Sequence, residues 1–297
     1  MEGHFAGDGA GRASPAIGGS MGTASIPRFD ADPVAPVRTV NARGQGPFAI
    51  VCDHASNRIP PRYGDLGVPA SERVRHIAWD PGALGVSLRL SELLDAPVVH
   101  PTVSRLVIDC NRFTDAETLI PAISEHTDIP GNAVISAEER ADRIDRYYVP
   151  YHTAIDRLLA SRKAAGLETV LVCMHSFTPV FKGFARPWPI GILPAPEESF
   201  SAALRDALAE ELPDLNIGWN QPYAGGAGVS YTVDHHGAGI AATMIEIRHD
   251  EILEPNGVAL WADRLARALE AARVALLADP AHLSLPRRGG LRLEGRD

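Results

Sequence analysis

The chain has 297 residues, 45% of them hydrophobic, and a formal net charge of -9 at pH 7. That is enough apolar material for one full core or two small ones, while the acidic balance excludes the basic face a nucleic-acid binder needs to release phosphate counterions. No run approaches the roughly 18 to 20 apolar residues of a membrane span and no basic head precedes an apolar stretch, so a cytoplasmic protein with a small-molecule ligand and no membrane partner is expected.

Residues 1–40 are rich in Gly, Ala, Ser and Pro and carry no apolar periodicity. Such a segment cannot bury enough surface to offset its ordering entropy, and it is read as a flexible tail. Residues 41–285 are expected to form a single α/β domain, entered near Pro47, and residues 286–297 a second, shorter tail.

The first strand candidate, Ala49–Cys52, lies in "FAIVCDHASNRIP", where an apolar run breaks into Asp53, His54, Ser56, Asn57 and Arg58. Further strand candidates are Val98–Val99, Leu106–Cys110, Thr169–Met174, Ile190–Leu193 and Thr243–Ile247. Between them, Ser136 with Glu139 three places on predicts a capped helix start. Ile144, Tyr148, Tyr151, Ile155 and Leu159 then mark one face, Pro150 predicts a kink, and Gly166 an end. "ESFSAALRDALAEEL" and "VALWADRLARALEAARVALL" predict two more amphipathic helices. Continuous apolar strands alternating with helices imply a three-layer αβα domain around a mostly parallel or mixed sheet. Cys52, Cys110 and Cys173 sit in apolar runs without CxxC spacing, as buried reduced thiols do.

In open α/β sheets ligands bind beyond the carboxyl ends of the strands. Four strand candidates end in polar groups there: "AIVCDHASN", "RLVIDCNR", "TVLVCMHS" and "ATMIEIRHD". His54 and His175 suit a divalent metal, since a catalytic zinc needs about three protein ligands plus water. The third ligand is open between Asn57, three residues after His54, and the anionic Asp80 of "HIAWDPGA"; Asp53 could orient His54 from behind. Glu246, in an otherwise apolar strand, is costly unless it has a task or an ion pair with Arg248, and is taken as general base. Arg105, Asn111, Arg112 and Arg248 are candidate binders of a carboxylate.

His76, His100, His126, His152, His249 and His282 lie singly and are read as structural or solvated. In the Gly-rich segment between Gly225 and Gly239, Tyr231, Asp234, His235 and His236 are candidates for touching a substrate. No GxGxxG follows a strand, no P-loop occurs, and the one GxSxG match, residues 18–22, lies in the Gly-rich tail and not after a strand candidate, which argues against nucleotide and serine-hydrolase chemistry.

"VCDHASNRIP", "HIAWDPGA", "SRLVIDCNRF", "IPGN", "PYHTAIDRLL", "VCMHSFTP" and "EIRHDEI" together resemble the N-formylglutamate amidohydrolase family over roughly residues 45 to 275. The resemblance implies a fold like that of zinc carboxypeptidases and the aspartoacylase group. It implies zinc on His54 and His175, with Asn57 standing where a His-x-x-Glu pattern has Glu. Asn111 and Arg112 then match binders of the substrate carboxylate, and Glu246 matches the base. The expected reaction is hydrolysis of N-formylglutamate, or a similar small anionic N-acyl amino acid, to formate and glutamate, an activity the family has in histidine degradation. The alternatives are another N-acyl amino acid or short peptide as substrate, or a carboxylate-binding protein on a degenerate hydrolase scaffold, for which Asn57 is the supporting feature.

Overall fold

The structure, a computed structural model, describes residues 34–223, 228 and 230–278. The proposed C-terminal tail and most of the N-terminal one lie outside that range.

Seven strands build the central sheet: β1 Val37–Val40, β2 Phe48–Val51, β3 Val98–Pro101, β4 Val170–Phe177, β5 Ile190–Pro194, β6 Ile217–Trp219 and β7 Ala242–Arg248. Their order is β1-β3-β2-β4-β7-β5-β6. β3, β2, β4 and β7 run parallel, β1 is antiparallel to β3, and β5 is antiparallel to β7, so the sheet is mixed. β2 is wholly buried, because a strand covered by helices on both faces has no solvated side to offer polar residues.

Alternate residues face opposite layers. Phe48, Ile50, Val172 and Met174 pack with one layer of helices: α1 Ala83–Leu94, α4 Ser199–Glu211 and α6 Pro255–Ala278. Ala49, Val51, Leu171, Cys173, Ala242 and Met244 pack against Tyr151 and Ile155 of α3 Val149–Ala164. Each fully buried Ile or Phe stabilises the fold by about 1.5–3 kcal/mol. The same alternation carries on to put His175 and Glu246, partners in the register of β4 and β7, on the α3 side of the sheet.

α2, Ala137–Arg143, starts where expected, with the Ser136 hydroxyl accepting from the Glu139 N–H at 3.1 Å. Just before Pro150, where a kink is expected, the helix widens into a five-residue π-turn, Ile144–Tyr148, and a wider turn accommodates a proline that has no N–H to give. Gly166, at φ 69°, ends α3. All three cysteines are free and buried.

Two expectations need correction. Leu106–Cys110 is no strand: Ser104 accepts from Leu106 N–H through its hydroxyl and from Val107 N–H through its carbonyl, at 3.1 and 2.9 Å, closing a turn. Leu106, Val107 and Ile108 instead fill a third cluster with Leu119, Ile129 and Tyr147. Residues 37–40, assigned to the tail by composition, form edge strand β1, whose mostly exposed pattern gives no apolar signal.

Candidate active site

β2 runs out at Val51, and the turn after it carries Asp53 and His54 to the carboxyl edge of the sheet. Asp80 is clipped beside it, its backbone N–H donating to the His54 carbonyl at 2.9 Å. The chain then reverses at Gly82, where a φ of 83° and an Ile252 carbonyl oxygen that would lie 2.4 Å from any Cβ admit no side chain. His175 and Glu246 enter from adjacent strands β4 and β7.

His54, Asp80 and His175 come together: one donor atom of each lies within 4.8 Å of the others, and all three side chains are buried. Each imidazole is held from behind by a carboxylate. His54 Nε2 meets Asp109 Oδ1 at 2.7 Å and His175 Nε2 meets Asp53 Oδ2 at 2.9 Å. A carboxylate only accepts, so in a neutral ring Nε2 carries the hydrogen and Nδ1 is left with a bare lone pair. Both Nδ1 atoms face Asp80 Oδ2, at 3.2 and 2.8 Å. Two lone pairs and an anionic oxygen converging on one point form a donor set that calls for a cation, and imidazole with carboxylate suits a divalent transition ion.

Electrostatics agree with that reading. Burial alone would raise Asp53, but the hydrogen bond and charge of His175 outweigh it and hold the carboxyl at about 2. Asp80 and Asp109 are likewise pulled below the usual range against their burial, by the two histidines at Asp80 and by Arg105 first at Asp109. His175 moves the other way: burial lowers it, yet its bonds to Asp53 and Asp80 push it well above an ordinary imidazole. The group thus attracts positive charge, whether as a proton or as a metal ion.

Glu246 differs from these acids. Its Oε2 is buried without a hydrogen-bond partner among the described residues, and burial first, then the charge of Asp80, raise its pKa to about 7 against the pull of His175, His54 and Arg105. Together with His54, Asp80, Asn111, Arg112 and His175 it lines a cavity of about 280 Å³. Arg105 lines it too, but is spent on neighbours, giving Nε and a terminal nitrogen to Asp109 at 3.1 and 2.6 Å. Arg112 is anchored to the Asn111 carbonyl at 2.9 Å and stands 3.7 Å from Asp109.

Other expected residues lie elsewhere. Asn57 donates its side-chain amide to the Arg73 carbonyl at 3.0 Å and is absent from both the metal group and the cavity wall; Asp80 takes the place expected of it. Replacing Asn57 with Ala should therefore leave bound metal and turnover within twofold of the parent while costing about 0.5–1.5 kcal/mol of stability, as metal analysis and thermal melting will read. Arg248 pairs with Asp250 at 2.8 Å and Glu251 at 3.2 Å, not with Glu246. Tyr231 packs on Phe113, Tyr148 and His152 rather than lining the cavity. Asp53 orients His175 and not His54.

Several contributors carried no sequence signal. Thr232, in the short helix α5 Tyr231–His236, gives its hydroxyl to Asp53 at 2.6 Å and its N–H to Asn111 Oδ1 at 2.9 Å. Tyr151 adds a bond to Asp53 at 2.8 Å, although periodicity marks it only as core. His76 and Tyr223 line the cavity. Of the Gly-rich segment, residues 224–227 and 229 lie outside the described residues.

A family model described as N-formylglutamate amidohydrolase matches residues 46–253. A crystal structure of a gene product from Agrobacterium tumefaciens is 39% identical, with TM-score 0.80, over 82% of this chain and 97% of that one. The crystal structure of N-formylglutamate amidohydrolase from Ralstonia eutropha JMP134 is 20% identical, with TM-score 0.57, over 81% of this chain and 98% of that one. The second likeness speaks for the fold, an α/β arrangement with helices flanking a mixed sheet. No curated protein matches the chain.

Proposed function

Starting from a chain that belongs to the N-formylglutamate amidohydrolase family and is therefore an amide-bond hydrolase, we propose that it uses a divalent metal, zinc by its donor set, to hydrolyse N-formyl-L-glutamate to formate and glutamate. The observation that supports this most is the convergence of His54 Nδ1, His175 Nδ1 and Asp80 Oδ2, with a carboxylate behind each imidazole. Bound by these three residues, the ion would activate water and polarise the amide carbonyl.

The remaining steps fall to the chain's own groups. Glu246 takes a proton from the attacking water and returns it to the departing amine nitrogen, a double task suited to a carboxyl whose pKa is raised to about 7. Asp53 and Asp109 hold His175 and His54 in orientation and tautomer. Arg112 and Asn111 bind a substrate carboxylate from the cavity wall, and Arg105 keeps Asp109 in place and adds positive charge. Asp53, Asp80, Asp109 and an ionised Glu246 against Arg105 and Arg112 leave two net negative charges, which a divalent ion would neutralise, so that the acids do not repel an anionic substrate.

The degenerate-scaffold alternative rested on Asn57, which stands apart from the metal group. Substrate choice is tested by formate and amine release from a panel of N-formylglutamate, N-formylaspartate, N-acetylglutamate and short peptides. The highest kcat/KM is expected for N-formylglutamate; a strong preference for a longer acyl group would exclude the formyl assignment.

A further inference from the structure

A second polar chain runs through the α3 side of the fold, outside the cavity. His152 Nε2 meets the Cys110 carbonyl at 2.9 Å, His152 Nδ1 meets His236 Nε2 at 2.8 Å, and His236 Nδ1 meets Asp156 Oδ1 at 3.0 Å. Both ends of this chain, a carbonyl and a carboxylate, only accept. Three contacts need three hydrogens, whereas two neutral imidazoles carry two. Donation from His152 to Cys110 leaves Nδ1 of His152 as acceptor, so His236 must donate through Nε2. Its Nδ1 lone pair then points at a carboxylate, and one positive charge is missing at that end.

A third proton could supply it, but it would have to sit on rings that are packed together. His152 stacks on His236 at 5.1 Å and is enclosed by Tyr148, Tyr151 and Tyr231, surroundings that disfavour an imidazolium. A second feature points to a ligand instead. His235, next in the chain to His236, brings a further ring nitrogen to the same place, and donor atoms of Asp156, His235 and His236 lie within 4.8 Å of one another. The Asp156 side chain is 63% exposed, so the group opens to solvent.

We propose that Asp156, His235 and His236 form a second metal site that takes a divalent transition ion such as zinc, with His152 as the partner that fixes the tautomer of His236. For His236 the arrangement repeats that of the cavity, with the remote nitrogen tied and the near nitrogen bare. Two imidazoles and one carboxylate favour zinc, nickel or copper over magnesium and calcium. The site joins α3, which carries Asp156, to α5, which carries both histidines and, through Thr232, holds Asp53 and Asn111. An ion there pins α5 against α3, and with it one side of the catalytic cavity.

The test uses the full-length protein, stripped with chelator, dialysed against Zn²⁺ in the presence of excess Mg²⁺ and analysed for bound zinc. The parent is expected to hold two equivalents and the double variant Asp156→Asn/His235→Ala one, with both substitutions at exposed side chains. Zinc should also raise the melting temperature of the parent by more than that of the double variant. Equal zinc content in parent and double variant would overturn the proposal, as would a parent that binds a single equivalent which the double variant retains. Combination with Asp80→Asn separates the two sites, because losses from independent sites add, leaving none bound in the triple variant.

Discussion

Replacing Glu246 with Gln should lower kcat by about 10²–10⁴-fold, the range expected when a positioned general base is removed, while bound metal stays at the parental level. The substitution keeps size and shape and removes only the ability to accept a proton. Folding should tolerate it, because Glu246 sits buried with an Oε2 that has no partner among the described residues and its ionised form is already disfavoured; a neutral amide there relieves a cost rather than adding one. The pH profile gives an independent reading. A base acts when deprotonated, so kcat/KM should fall about tenfold per unit on the acid side of its pKa, which burial raises to about 7 and a bound cation would draw lower. That acid limb should vanish from whatever activity the Gln variant keeps. A Glu246→Gln enzyme turning over at the parental rate would contradict the assignment.

Asp80→Asn is expected to have the second large effect, loss of the catalytic ion and of turnover with it. Asp80 Oδ2 is the point on which both Nδ1 atoms converge, and it also accepts from the Ser176 N–H at 3.3 Å. Removing a supporting carboxylate behind a metal-bound histidine costs roughly 10–100-fold in metal affinity; removing the anionic ligand itself should exceed that. Zinc titration of the Asn variant reads the effect, with circular dichroism confirming that the fold persists. An Asp80→Asn protein binding zinc at this site as tightly as the parent would show that the ion, if any, is held elsewhere.

The parts of the fold legible beforehand are those whose cause is local. β2, β4 and β7 announce themselves because strands buried on both faces must be apolar throughout, and α4 and α6 because one stripe of each packs on the sheet. Leu106–Cys110 looks the same to a composition argument, since a buried turn and a buried strand both need apolar residues, and only Ser104 with its turn hydrogen bonds distinguishes them. β1 was hidden for the opposite reason, being an exposed edge held by backbone pairing with β3.

The site divides along similar lines. His54, His175 and Glu246 were legible because polar groups at the ends of apolar strands are expensive without a task. Choosing between Asn57 and Asp80 needed the tertiary turn at Gly82 that clips Asp80 to the His54 carbonyl. Asp109 behind His54, and Thr232 and Tyr151 around Asp53, come from segments separated by 55, 179 and 98 residues from their partners, and no local pattern records such pairings. Arg248 shares a face with Glu246 by strand alternation, yet acids two and three places further on capture it first.

The most direct test of a metal-dependent formyl hydrolase is formate release from N-formyl-L-glutamate by chelator-treated protein, followed as Zn²⁺ is added back and bound zinc is counted. Activity should be absent in the stripped protein and return in proportion to the zinc held by His54, Asp80 and His175, with no return in Asp80→Asn. Full formate release by metal-free protein, or none at any zinc occupancy, would contradict the account.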